Sequence, residues 1–115
     1  MLLTLPFPPS VNGMFLNMRG RGRVKAPAYR AWISQAGADI LRQVCTPCFA
    51  DHHRVSITID LDDKRNGDAD NRAKAVLDLL VTHRVIPGDS KRHVKRVSVG
   101  WERVNGCRVR ITEAA

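Results

Sequence analysis

Three aspartates and a lysine are the residues of this 115-residue sequence whose types and spacing suit chemistry: Asp68, Asp70, Lys74 and Asp89. Carboxylate oxygens hold hard divalent cations. Mg²⁺ keeps several of its waters and takes few protein ligands, so two or three aspartates suffice for one site. Such a site stabilises a phosphoryl centre and activates water, which is what phosphodiester hydrolysis demands. Two of the aspartates stand in Asn66-Gly67-Asp68-Ala69-Asp70-Asn71-Arg72-Ala73-Lys74, and Asp89 follows Asp70 by 19 positions. An inert account of the same residues exists. Asp68 suits the N-cap of a helix, and Asp70 with Lys74 suits a surface ion pair four residues apart.

Two other metal chemistries are testable on spacing. Asp62 to Gly67 resembles the start of a calcium-binding EF-hand loop, but its third and twelfth positions are Lys64 and Ala73. A cation and a methyl group replace two required oxygens, which rejects that motif. Cys45-Thr46-Pro47-Cys48 with His52 and His53 has the residue types of a zinc site. All of these lie within nine positions, whereas a structural zinc usually takes two separated pairs, so no zinc is expected. The odd third thiol, Cys107, argues against a disulfide framework.

The aspartates need elements to carry them. Met1 to Phe7 reads as a short strand stopped by Pro6, Pro8 and Pro9. Ser10 to Ala26 lacks periodicity and reads as a loop. Pro27 opens a helix whose stripe is Tyr29, Trp32, Ile33, Ala36, Ile40, Leu41 and Val44, ending near Cys45 before Pro47. Arg54 to Leu61 alternates as a half-buried strand, with Val55, Ile57, Ile59 and Leu61 on one face. A polar turn over 62–67 leads to a second helix from about Asp68 to His83. Its core arc is Ala69, Ala73, Val76, Leu77 and Leu80, with Asp70 and Lys74 at the margin. Ile86 to Asp89 reads as a loop. His93 to Trp101 and Arg108 to Thr112 read as strands joined by Asn105-Gly106, a hairpin signal. The order β-α-β-α-β-β predicts an α/β fold of one domain spanning 1–115, a four-stranded mixed sheet with two helices packed against it. A helix over 68–83 carries the chain some 20 Å away at ~1.5 Å per residue, so the following loop must return Asp89 to the other aspartates.

The chain carries 19 Lys and Arg against 11 Asp and Glu, a formal charge of +8. Nothing resembles a signal peptide, and no apolar run approaches the ~20 residues a membrane helix needs. A soluble cytoplasmic protein with a polyanionic partner, nucleic acid, is the expectation. Arg19, Arg21, Arg23 and Lys25 alternate with glycines as a flexible basic arm whose guanidinium groups fork onto phosphates. Lys91, Arg92, Lys95 and Arg96 form a second cluster after Asp89. On a strand, Lys91, His93 and Lys95 share one face and Arg92, Val94 and Arg96 the other.

Several pieces together resemble the RusA family of Holliday junction resolvases. Leu5-Pro6-Phe7-Pro8-Pro9-Ser10-Val11-Asn12 resembles its opening strand and proline-rich turn. Asp68 to Lys74 resembles its D-x-D-N-x-x-K motif, and Gly88-Asp89-Ser90 falls where it carries a further aspartate, usually as Asp-Asp. The likeness spans Leu3 to Thr112. It implies a homodimer that binds four-way DNA junctions in recombination and repair and cuts two strands of like polarity. It also implies Mg²⁺, with Mn²⁺ as substitute, held by Asp68, Asp70 and Asp89, and Lys74 as a cation that aids catalysis. Asn71 matches the motif without a clear role. Gly88 departs from the pattern. The alternative is a non-catalytic basic DNA-binding protein in which the aspartates are helix caps and ion pairs.

Overall fold

The computed structural model describes residues 1–114. Alternation over Val55–Asp62 builds the central strand, β4 in the chain order used here. Its apolar face, Val55, Ile57, Ile59 and Leu61, is buried. Burying each such side chain contributes roughly 1.5–3 kcal/mol. β1 (Leu2–Leu5), β5 (Val94–Glu102) and β6 (Cys107–Glu113) complete a mixed sheet in the order β1-β6-β4-β5. On its apolar face Leu3, Leu5, Cys107, Val109 and Ile111 join the same core.

Two helices cover that face. α1 (Pro27–Gln43) contributes Tyr29, Trp32, Ala36 and Ile40, and α2 (Ala73–Thr82) contributes Ala75, Val76, Leu79 and Leu80. The expected class, a four-stranded mixed sheet with two helices, is the observed one. Leu41 does not belong to the buried stripe of α1. It is 66% exposed, and Gly37 is buried. Trp32 Nε1 donates to the Pro6 carbonyl at 2.9 Å and so ties the proline turn to α1.

On the opposite face Asp60 is buried despite its polar position. Arg108 Nε and Nη2 donate to its Oδ2 at 3.0 and 2.9 Å, and Arg110 Nη2 lies 3.4 Å from it.

The segment read as a loop over 10–26 contains a separate two-stranded ribbon, β2 (Phe15–Met18) and β3 (Gly22–Lys25). The glycines read as loosening an arm instead make its reversal: Gly20 and Gly22 have φ of 75° and 69°, a region that glycine adopts without steric cost. The base is held by buried Met14, whose carbonyl accepts from Ala26 N–H at 2.9 Å, and by Phe15 packed edge-on against Tyr29.

β5 and β6 do not form the hairpin that Asn105-Gly106 suggested. β4 lies between them, parallel to β5 and antiparallel to β6. The connection crosses the end of β4, where Asp62 captures it. Asp62 N–H donates to the Gly106 carbonyl at 3.0 Å, and its carboxylate accepts from Lys64 N–H at 3.0 Å and Gly106 N–H at 3.4 Å. These backbone donors, the Lys64 amide first, hold the Asp62 carboxyl below its ordinary pKa. At the other end of β5, Val94 pairs with Val55 but Arg96 pairs with Ser56, so Lys95 is the extra residue of a β-bulge. Among the described residues no helix is long and apolar enough to cross a membrane.

Candidate active site

The aspartate motif does not open a helix at Asp68. A short 3-10 turn covers Asp70–Arg72, and α2 begins at Ala73. The cap positions are Ala69 and Arg72, and neither makes a side-chain cap hydrogen bond. Asp68 therefore caps nothing. The expected pair between Asp70 and Lys74 is also absent, because Lys74 Nζ donates to Asp78 Oδ1 at 2.9 Å instead. Both inert explanations of Asp68 and Asp70 thus fail. Each is exposed and without a hydrogen bond or ion pair among the described residues.

What holds this segment is Arg72, a residue that sequence reasoning passed over. Its Nη1 donates to the Pro8 carbonyl at 3.0 Å and its Nη2 to the Asn66 carbonyl at 3.4 Å, with the guanidinium over the Phe7 ring. The proline turn and the aspartate motif are therefore one assembly. The loop carrying Asp68 is fastened at both ends, by Asn66 before it and Arg72 after it. Motif spacing alone gives no sign of this, because Pro8 and Arg72 are 64 residues apart.

Lys74, the last residue of the motif, lines a cleft of about 530 Å³ that neither Asp68 nor Asp70 lines. The ribbon contributes Phe15 and Lys25, α1 contributes Tyr29 and Ile33, and α2 contributes Lys74, Asp78 and Thr82. Asp89 reaches the same cleft from the loop after α2. The return begins at the end of α2, where Arg84 takes the left-handed conformation (φ 60°) and Val85 N–H donates to the Leu80 carbonyl at 2.9 Å. α2 is only 10 residues long, so the distance to recover is shorter than a helix over 68–83 requires.

The cleft couples its charges. Lys74 is held above the ordinary lysine pKa, first by its hydrogen bond to Asp78 and further by the charges of Asp78 and Asp89. Burial pushes the Tyr29 hydroxyl up, with Asp78 adding to the effect and Lys74 opposing it. Tyr29, read from sequence as a core aromatic, is both buried and part of the cleft wall. Asp78 was missed because, four residues beyond Lys74 on an exposed turn, it reads as an ordinary surface charge.

The basic residues divide by element. In the ribbon, Phe15, Asn17, Arg23 and Lys25 share one face by register, and Leu16, Met18, Gly22 and Val24 the other. Phe15 and Lys25 line the Lys74 cleft, and the Arg23 guanidinium stacks over the Phe15 ring at 4.0 Å. Arg19 and Arg21 are exposed at or beside the turn. Lys91, Arg92 and His93 precede β5 in a turn, so the predicted strand alternation holds only from Val94 onward. Arg92 is paired with Asp51 at 3.3 Å. Lys91 and Lys95 are exposed.

Carboxylate oxygens are the donors a hard cation prefers, and exposed carboxylates leave such an ion its waters. In donor type and exposure, Asp68, Asp70 and Asp89 fit that demand. They do not form a preassembled cage: among the described residues no three His, Cys, Asp or Glu side chains are grouped so as to hold a metal ion. Cys45 is exposed and Cys48 half-buried, with Cys48 Sγ donating to the Cys45 carbonyl. No protein-family model matches the chain, and no curated protein matches it.

Proposed function

We propose that this protein is a divalent-metal-dependent endonuclease that cuts branched DNA, with the four-way junction as substrate. The observation that carries this reading is the cleft where Asp89 meets Lys74, the last residue of a motif whose two aspartates have neither a cap nor an ion pair to satisfy. The resemblance of the proline turn, the aspartate motif and Asp89 to the RusA family supplies the choice of substrate.

Asp68, Asp70 and Asp89 are the residues that would hold Mg²⁺ or Mn²⁺. The bound ion supplies positive charge for the phosphoryl group and an activated water. Lys74, held by Asp78, keeps its ammonium charged and stabilises negative charge developing on the phosphate oxygens. Lys25 and Arg23 extend the positive wall of the cleft along the ribbon and receive the DNA backbone. Arg19, Arg21, Lys91, Arg92 and Lys95 are further backbone contacts. Two symmetric cuts are most simply made by two symmetric sites, so the working form is a homodimer. Recombination and repair are the processes served, and the cytoplasm is the place of action.

The test is cleavage of a synthetic four-way junction in Mg²⁺ by the purified chain and by Asp70→Asn. The isosteric change removes the charge that holds the metal and leaves the fold intact. Asp70→Asn is expected to bind the junction without cutting it. Equal cutting by both proteins sinks the assignment. Binding without cutting by the unaltered chain, in Mg²⁺ and Mn²⁺ alike, makes it a non-catalytic DNA-binding protein.

A further inference from the structure

Asp89 sits on a loop, and a ligand on a loop needs something to hold it. The turn after it is closed by Ser90, whose carbonyl accepts from His93 N–H and Val94 N–H, both at 2.9 Å. The His93 carbonyl accepts from Val55 N–H at 2.9 Å, which fixes the far end of the turn to β4. Across from it stands Asp51, from the segment between α1 and β4. Its Oδ1 lies 3.2 Å from His93 Nε2, and its Oδ2 accepts from Arg92 Nη2 at 3.3 Å. The two segments meet again around a cavity of about 340 Å³, where Phe49 and Asp51 face Ile86 and Pro87.

The His93 side chain is 12% exposed, and its Nδ1 is buried without a partner. An ionised carboxylate only accepts, so Nε2 is the donor in the contact with Asp51. The ring stands against Gly88: a Cβ there would lie 2.8 Å from Nδ1 and 3.3 Å from Cε1. The Gly88 backbone lies outside the left-handed region, so close approach of the ring, not torsion, demands glycine. Gly88 is the neighbour of Asp89.

We propose that Asp51, His93 and Gly88 form a latch that positions Asp89 at the mouth of the cleft. Asp51 and His93 are its positioning residues. The catalytic part of this proposal rests on reading Asp89 as a metal ligand; the ordering of the loop does not. Asp51 is 72% exposed, so its ion pairs are screened and add little to global stability. Their effect is local order in residues 84–93. The latch also accounts for Gly88 standing where two adjacent acids are usual in the resembled family. The imidazole occupies the space that a first acidic side chain would need.

The experiment compares the full chain with Asp51→Ala, Asp51→Glu and Gly88→Ala. Four readouts are taken: melting temperature, amide hydrogen exchange over 84–93, Mn²⁺ affinity by electron paramagnetic resonance, and junction cleavage. Asp51→Ala and Gly88→Ala are expected to melt close to the parent and to exchange faster over 84–93. They should bind Mn²⁺ about tenfold more weakly, the scale on which groups that orient metal ligands act. Asp51→Glu is expected to restore both exchange protection and Mn²⁺ affinity. Unchanged exchange over 84–93 in both Asp51→Ala and Gly88→Ala overturns the latch. A parent chain that cuts no junction overturns the nuclease reading alone, because exchange still decides the latch.

Discussion

Lys74 Nζ donates to Asp78 Oδ1 at 2.9 Å, one turn along α2, and both residues face the cleft that Asp89 enters. The aspartate motif thus delivers its lysine to a carboxylate outside the motif. This leaves Asp70 unpaired and holds the ammonium in the cleft that Asp89 also lines.

Replacing Asp78 by Asn tests that arrangement. An exposed pair four residues apart is worth about 0.5 kcal/mol or less, so the melting temperature should barely move at neutral pH. The pair raises the folded pKa of Lys74, so its contribution is complete below the unfolded lysine pKa and is lost as pH rises through the folded value. The small difference between parent and Asp78→Asn should therefore disappear in strongly alkaline melts. Junction cleavage is expected to fall about tenfold, as when a group orienting a site residue is removed. Cleavage equal to the parent removes Asp78 from the site.

Arg72 makes a second prediction. Its two carbonyl acceptors are fixed by a planar fork that lysine lacks. Arg72→Ala should cost roughly 1.5–3 kcal/mol, the range for hydrogen bonds involving a charged group, measured by urea denaturation. Arg72→Lys should recover part of that stability, while cleavage stays about 10–100-fold below the parent because the Asp68 loop is no longer fastened. Full activity in Arg72→Lys would show that charge, not the fork, is what the loop needs.

Asp62 predicts a dependence at the acid end. Its folded pKa is depressed by backbone donors, so its contribution is present above the unfolded carboxylate pKa and is lost as pH falls through the folded value. Asp62→Ala should melt below the parent at pH 7, and the gap should close below about pH 4. A gap that persists unchanged at low pH assigns the loss to packing instead of charge.

The ribbon can be tested by salt. Each phosphate neutralised on duplex DNA adds about −0.9 to the slope of log affinity against log salt. Lys25→Gln should reduce the slope for a cleavage-deficient Asp70→Asn background by about that amount. Leu16→Ser, on the opposite face of the ribbon, should leave the slope unchanged. Equal effects from both would mean that the two faces are not distinguished by DNA.

Regular, locally encoded elements were legible in the sequence. Val55 to Leu61 alternates because one face of β4 meets the core, and Tyr29, Trp32, Ala36 and Ile40 repeat because α1 lies on that face. What escaped is set by distant partners. The four-residue strands β2 and β3 carry too little pattern to be seen, and their base is held by packing on Tyr29. Asn105-Gly106 has the local preference of a hairpin, but Asp62 draws it across the end of β4. Asp68 has the type of a helix cap, yet the helix waits until Arg72 has reached Pro8. In the candidate site, the position of Lys74 at the margin of the core face followed from helical spacing, whereas Asp89 was singled out chiefly by the family resemblance. Asp78, Arg72 and the approach of Asp89 to Lys74 depend on how the chain folds back.

The bulge at Lys95 has a consequence for handling this protein at high concentration. β5 is the outermost strand on its side of the sheet and nine residues long, so its far edge presents backbone donors and acceptors to solvent. A long flat edge of that kind recruits other chains into a growing sheet, and a bulge with cationic side chains is a common obstacle. Deleting Lys95 would straighten the strand while leaving Arg96 and every later residue opposite its present partner on β4. The expected result is aggregation in a protein that has kept its aspartates.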